Sequence, residues 1–419
     1  MELTPTMSVP SLEKSRIKVV LLEGIHPSAV QAFQADGYTD VEHYPKSLAP
    51  DELRKVLKNA YLIGIRSATY LTREVLAEAP KLISIGCFCI GTNQVNLEAA
   101  QTQGVPVFNA PFSNTRSVAE LVVAEVVLLL RGIPHRASAA QKGEWIKTAT
   151  GSFEVRGKTL GIVGYGHIGT QVGLLAEAFG MQVIFYDIET KLALGNAKAV
   201  PSLRALLDQS DVVTLHVPDT PQTKGMIGSA EIAQMKKRSC LINAARGSLV
   251  DIEALAESLR AKHLAGAALD VFPKEPKTEG EEFVSPLRGM SNVILTPHVG
   301  GSTEEAQANI GIEVAEKLIK YSNNGSTLSA VNFPEVSLPA PHTRQHRLLH
   351  IHRNQPGMLS AVNGVFSRHN VNIAGEYLQT NPEIGYVVID METRDRAESQ
   401  ALKQELDQIP GTLRTRLLY

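Results

Sequence analysis

Short apolar runs recur along the chain, and stretches with helical spacing separate most of them. Residues 17–22 (I-K-V-V-L-L), then Y-L-I-G-I-R-S, then K-L-I-S-I-G-C-F-C-I read as buried strands, with P-S-A-V-Q-A-F-Q-A reading as a helix after the first. A second series begins at 158–164 (K-T-L-G-I-V-G). It continues through 181–186, 212–217, 239–244, 266–272 and 292–297, again with helical segments between most of them. Strands alternating with helices predict parallel α/β architecture, and the second series predicts a doubly wound sheet. The turn-rich N-A-P-F-S-N-T-R-S (109–117) marks a crossing between two such units. L-V-V-A-E-V-V-L-L-L (121–130) reads as a buried helix despite Glu125, and a long helical pattern follows residue 303.

The rhythm changes after S-L-P-A-P-H-T-R-Q (337–345), a Pro-rich polar stretch expected to be a linker. From 346 the chain reads strand, helix, strand, strand, helix, strand. Met358, Val362, Val365 and Phe366 fall on one face of the first helix. The order βαββαβ is the ferredoxin-like motif.

Length and charge narrow the picture. At 419 residues the chain is too long for one ordinary core, so two or three domains are expected. A net charge of −2 gives no reason to expect nucleic acid as a partner. No run approaches the ~20 apolar residues needed to span a bilayer, so no membrane partner is expected. Residues 1–16 carry no apolar signal region and read as a loose arm. Cys87, Cys89 and Cys240 are an odd, sparse set, which suggests a reducing, cytoplasmic compartment. The Cys87/Cys89 pair reads as two small packed residues rather than a redox couple.

The first chemical signal is Gly164-Tyr165-Gly166-His167-Ile168-Gly169. Alone, G-x-G-x-x-G is weak. Here it follows an apolar strand, opens a helix, and is answered about twenty residues on by Asp187 at the end of the next strand. The glycines allow close approach of a pyrophosphate, and the helix N-terminus offers free N–H groups and a positive dipole end. Asp187 can accept from ribose hydroxyls and would repel a 2′-phosphate, which favours NAD over NADP.

Three later strand ends carry Arg246, then Asp270 with Glu275, then His298. Ligands of open α/β sheets lie beyond the carboxyl ends of strands, so these side chains can converge on one crevice. Oxidation of a 2-hydroxy acid needs such a set: an imidazole base working near neutral pH, a carboxylate beside it, and a guanidinium that forks onto the substrate carboxylate. Taken singly, each reads better as a turn, loop or strand-terminal residue with no chemical role. Together, behind a dinucleotide fingerprint, they predict His298 as the proton-transfer group, Glu275 as its partner and Arg246 as the substrate anchor.

With these motifs the chain resembles the D-isomer-specific 2-hydroxyacid dehydrogenase family, and within it the bacterial branch that acts on D-3-phosphoglycerate and carries a C-terminal ACT domain. The resemblance rests on G-Y-G-H-I-G, N-A-A-R-G-S-L-V-D, A-L-D-V-F-P-K-E-P, L-T-P-H-V-G-G-S-T, V-F-N-A-P-F-S-N-T-R-S-V-A-E-L and H-I-H-R-N-Q-P-G-M-L. It implies a discontinuous, flavodoxin-like substrate-binding domain over 17–113 and 302–336, a Rossmann-type NAD-binding domain over 114–301, and an ACT domain over 346–419. It implies NAD contacts at Gly164, Gly166, His167, Ile168, Gly169, Asp187, Ala244, Ala245, Asp270, Gly300 and Gly301, and substrate contacts at Arg66, Ser67 and Asn114. The expected product is 3-phosphohydroxypyruvate, which leads to serine. A homotetramer is implied, with the segment around Trp145 and Lys147 reaching a neighbour. Ala68 departs from the pattern, where a second basic residue would face the substrate phosphate. Lys147 of another subunit is the candidate replacement.

By the same resemblance His352, Asn354 and Asn372 would hold L-serine as a feedback effector at a seam between paired ACT domains. The plain alternatives are a helix cap at Asn354 and a turn at Asn372, and a His350/His352 metal pair lacks a third ligand. Two other readings of the whole chain compete: a dehydrogenase for another D-2-hydroxy acid such as 2-hydroxyglutarate, and an NAD(H)-sensing binding protein. Reduction of 2-oxoglutarate as a side activity is also open.

Overall fold

A computed structural model describes residues 13–276, 280–339, 346–393 and 395–418. Of the expected arm at 1–16, residues 1–12 lie outside the described residues and Lys14–Arg16 form a short 3-10 turn. Of the expected linker at 337–345, residues 340–345 lie outside them, and Leu338 is not solvated linker but packs into the apolar core. The chain forms two compact units, 1–113 with 307–419, and 114–306.

In the first unit, β1 (Val19–Leu21), β2 (Val41–His43), β3 (Leu62–Ile65), β4 (Ser84–Cys87) and β5 (Val107–Asn109) form a parallel sheet in the order β2-β1-β3-β4-β5. That order is flavodoxin-like. All but β2 are fully buried, as near-continuous apolar runs require when both faces are covered. The helix Pro27–Ala35 falls where the pattern predicts it. The helix Glu304–Asn324 returns the chain, and Val314 and Leu318 press so close on β4 that any Cβ at Gly86 would meet them within 2.8 Å.

The second unit holds seven parallel strands: β6 (Thr159–Val163), β7 (Gln182–Tyr186), β8 (Lys198–Ala199), β9 (Val212–Leu215), β10 (Cys240–Asn243), β11 (Gly266–Leu269) and β12 (Val293–Leu295). Their order, β12-β11-β10-β9-β6-β7-β8, reverses direction beside β6, the topological switch point where a doubly wound sheet binds its ligand. The apolar run 121–130 lies within the helix Thr115–Arg131, with Glu125 buried as anticipated.

The tail, part of the first unit, is a four-stranded antiparallel sheet of β13 (His346–Arg353), β14 (Asn372–Thr380), β15 (Ile384–Glu392) and β16 (Thr412–Leu418), ordered β14-β15-β13-β16 with two helices. Its central strands are apolar on both faces. Leu348, Val387 and Ile389 pack on the tail's own helices, Met358–Arg368 and Arg396–Leu406. Leu349, Ile351, Tyr386 and Val388 join the core that contains Leu318 and Tyr321. Arg347 is wholly buried at this join. It grips Asp390 through two hydrogen bonds of 2.6 and 2.8 Å and donates to the carbonyls of Asn324 and Pro339. Tyr386 donates its hydroxyl to the Gly325 carbonyl at 2.6 Å. None of Cys87, Cys89 and Cys240 is in a disulfide, and Cys87 and Cys240 are buried.

Candidate active site

β6 runs into the glycine turn, where the three glycines serve three different needs. Gly164 has φ +90, and a Cβ there would strike the His216 carbonyl at 2.5 Å. Gly169 lies against the Gly164 carbonyl, which a Cβ would meet at 2.2 Å. Gly166 opens the helix His167–Ala178 with no side-chain cap, and a Cβ there would meet nothing within 4 Å. An uncapped helix start with open space above its glycine suits a pyrophosphate. Beyond β7, Asp187 accepts from the Tyr165 N–H at 2.8 Å and the Glu189 N–H at 3.0 Å, which fixes its carboxylate beside the turn. Each oxygen keeps lone-pair capacity for a ribose hydroxyl. The residues therefore fit a dinucleotide.

Beyond β10, buried Asn243 organises the turn that carries Ala244, Ala245 and Arg246. Its amide donates to the Arg246 carbonyl at 2.9 Å, and its oxygen accepts from the Ala245 N–H at 3.1 Å. Gly247 then lies so near Phe272 that a Cβ would overlap its backbone, at 2.0 Å. Beyond β11, Asp270 is 2% exposed and ties down the loop after β12. One oxygen accepts from the Thr296 hydroxyl at 2.6 Å and the Val299 N–H at 2.8 Å, and the other from the Gly300 N–H at 2.8 Å. That loop presents His298 with φ 55, a left-handed conformation that non-glycine residues adopt only when their surroundings impose it.

His298 Nδ1 lies 2.9 Å from Glu275 Oε2, while Glu275 Oε1 accepts from the Phe272 N–H at 3.1 Å. The Glu275 hydrogen bond lifts the His298 pKa above its ordinary value, outweighing the opposite pull of burial. Burial pushes Glu275 up, but the bonds from His298 and Phe272, with the Arg246 charge, outweigh it and hold the carboxyl below its usual range. Arg246, Glu275 and His298 line one cavity of about 590 Å³.

Several residues here escaped the sequence reading. Asp219 and Lys224 line the same cavity. His216 and Val217 crowd the glycine turn. Burial, with the charge of Asp270, pushes Glu125 up to about 8, which favours its neutral form. Only N-A-A-R-G, with a polar residue ending an apolar strand, offered a signal, and it pointed to Asn243.

The other expected site residues lie on other elements. Arg66 and Ser67 follow β3 in the first unit. Asn114 precedes the helix Thr115–Arg131 in the second unit. Its amide lies where a Cβ on Gly301 would meet it at 2.4 Å, and its Oδ1 is buried without a hydrogen-bond partner among the described residues. Lys147 lines a different groove, beside Trp145, which is 86% exposed.

In the tail, His352 is buried, with Nδ1 3.2 Å from His350 Nδ1. Asn354 donates to the Asn381 carbonyl at 2.7 Å and Asn372 to Glu392 at 3.0 Å. His352 pairs with Gly385 and Asn372 with Glu392, seven residues further along β15. At ~3.4 Å per residue that separates them by about 24 Å along the strand. One chain does not bring the three together. Among the described residues no cluster of three or more His, Cys, Asp or Glu is placed to hold a metal, and no helix is long and apolar enough to cross a membrane.

Comparison with known proteins agrees with this geometry. Residues 123–300 match the NAD-binding domain of the D-isomer-specific 2-hydroxyacid dehydrogenases, and 348–414 match an ACT domain like that of the AHAS small subunit. The chain is 59% identical to D-3-phosphoglycerate dehydrogenase of Escherichia coli, over 99% of this chain and 100% of that one. Identity to the enzyme of the same name from Saccharomyces cerevisiae is 47%, over 96% of this chain and 88% of that one. A solved D-lactate dehydrogenase from Aquifex aeolicus, complexed with NAD and lactic acid, superposes with a TM-score of 0.65 at 28% identity. That match covers 76% of this chain and 100% of the other. The chain belongs to the D-isomer-specific 2-hydroxyacid dehydrogenase family. Within that family it is an NAD-dependent oxidoreductase that carries a C-terminal ACT domain.

Proposed function

We propose that the enzyme oxidises D-3-phosphoglycerate to 3-phosphohydroxypyruvate and that L-serine inhibits it through the ACT domain. The observation that carries the chemistry is the shared cavity in which Arg246 faces the Glu275–His298 pair. The substrate is carried by the end-to-end match to enzymes of that name.

The glycine turn and Asp187 would hold NAD, which would supply the acceptor for the hydride leaving the substrate's C2. The chain's own residues do the rest. Arg246 holds the substrate carboxylate in a planar fork and polarises the developing carbonyl. Glu275 occupies Nδ1 of His298, which leaves Nε2 to accept the hydroxyl proton as the C–H bond breaks. The imidazolium so formed is stabilised by the same carboxylate. Ala244, Ala245, His167, Ile168, Gly300 and Gly301 complete the nucleotide contacts. Arg66, Ser67 and Asn114 orient the substrate, with the unpartnered Asn114 Oδ1 as an acceptor. Lys147 of a second copy supplies the charge that Ala68 lacks.

Oxidation needs neutral His298, so its rate rises with pH through a pKa above the ordinary 6.5. Keto-acid reduction needs the imidazolium, which is present below that pKa, and falls over the same interval.

In this reading serine binds at a seam between two ACT domains, His352 and Asn354 coming from one copy and Asn372 from the other. The enzyme is a cytoplasmic homotetramer. NADH oxidation with 3-phosphohydroxypyruvate, with and without L-serine and beside 2-oxoglutarate, tests the substrate and the effector. Turnover suppressed by serine supports the reading. Turnover indifferent to serine removes the sensing role, and turnover of 2-oxoglutarate alone moves the substrate to another hydroxy acid.

A further inference from the structure

We infer that Glu23 and Gln94 are positioning residues that hold the loop Arg66–Thr69 in shape for the substrate anion. The inference deepens the proposed function and rests on its assignment of Arg66 and Ser67 to the substrate.

Glu23 ends the segment after β1. It and Gly24 both have positive φ, 62 and 59, and the Ile25 N–H returns to the Leu22 carbonyl at 3.4 Å. This is a tight turn with two left-handed central residues. Gly24 adopts that conformation freely, whereas a glutamate does not, so something must favour the strain at Glu23. Its carboxylate supplies the reason. Oε2 accepts from the Ala68 N–H and Oε1 from the Thr69 N–H, both at 2.8 Å. Two successive backbone N–H groups form a small anion-binding concavity, and here an internal carboxylate fills it.

The other side of the loop is held by Gln94, which is 7% exposed. Its Nε2 donates to the Arg66 carbonyl at 2.6 Å and to the Gly91 carbonyl at 3.2 Å. The loop after β3 is thus clamped from the loops after β1 and β4, its amides by a carboxylate and its carbonyl by an amide. Ser67 and Ala68 stay exposed between the clamps.

The arrangement has a consequence for recognition. With the Ala68 and Thr69 amides already occupied, those two groups do not read the substrate anion, and recognition falls to the exposed side of the loop that carries Ser67. The Glu23 charge also excludes small inorganic anions from the place where they would otherwise lodge.

Glu23→Gly is the informative variant, because glycine suits the left-handed turn while the carboxylate is lost. The expected result is an unchanged or raised melting temperature and a KM for 3-phosphohydroxypyruvate raised about tenfold, the effect of losing a hydrogen bond to a charged group. kcat should change less than about twofold, as for a group acting on binding alone. Added acetate should restore part of the KM by refilling the vacated amides, and sulfate should inhibit the variant more strongly than the parent. Gln94→Leu should raise KM by about three- to tenfold, as for a neutral hydrogen bond. A wild-type KM in Glu23→Gly overturns the inference. So does a raised KM that comes with a lower melting temperature and no acetate response, because that marks a merely structural role. Arg66→Ala is the control. An unchanged KM there overturns the substrate assignment itself, whereas a raised KM beside an unaffected Glu23→Gly overturns only the clamp.

Discussion

The cavity beside β10 and β11 and the effector residues of the tail are built on opposite plans. In the cavity, each reactive side chain is fixed by a buried polar neighbour within the same fold. Asn243 sets the Arg246 turn, Asp270 sets the His298 loop, and Glu275 sets the imidazole. In the tail, His352 and Asn372 pair with β15 at positions seven residues apart, with nothing among the described residues to join them. The proposed acid–base set is therefore joined within a single chain, whereas the proposed effector set is not. Substitutions should follow that line, damaging chemistry within a chain but damaging sensing across a pair of chains.

The largest expected effect is at His298. His298→Ala should lower kcat by about 10²–10⁴, the range for loss of a general acid–base, with NADH binding by fluorescence retained. Retained turnover would remove His298 from the acid–base role. Glu275→Gln should lower kcat by about 10²-fold and move the alkaline rise of oxidation to lower pH, because the neutral amide no longer lifts His298. An unmoved profile would mean that another group sets it. Arg246→Lys should raise KM by about tenfold or more, because an ammonium cannot fork onto the carboxylate.

For the divided site, His352→Ala and Asn372→Ala should each weaken serine inhibition by about tenfold and leave turnover intact. The sharper experiment co-assembles the two variants. One seam site then carries both defects and the other carries neither, so partial serine sensitivity should return. No recovery in the mixed oligomer would place the whole effector site within one chain.

Much of the plan was legible in the sequence because it depends on local pattern. The glycine turn, the strand ends bearing Arg246, Glu275 and His298, and the βαββαβ tail all fall where periodicity and turn chemistry put them. β2 and β8 escaped. One is three residues and half exposed, the other two residues and fully exposed, and neither carries an apolar run. The loop-fixing roles of Asp270 and Glu23 escaped for a different reason. Their partners lie 26 to 46 residues away, and no spacing rule connects a carboxylate to backbone amides at that distance. Asp270 was expected as a nucleotide contact, whereas its visible work is to hold the His298 loop.

The two-sided sheet of the tail bears on how such an enzyme can be assembled or shortened. Leu349, Ile351, Tyr386 and Val388 supply part of the apolar interior of the first unit, and Arg347 bonds to the Asn324 carbonyl at the end of the helix Glu304–Asn324. Cutting the gene before 346 would leave Tyr321 and Leu318 facing water and the Asn324 carbonyl without its donor. Such a product would be prone to self-association, and the tail could be exchanged for another sensor only if the newcomer brought a matching apolar face. In this architecture regulation is not an accessory bolted onto a finished catalyst. The regulatory module is also part of the wall.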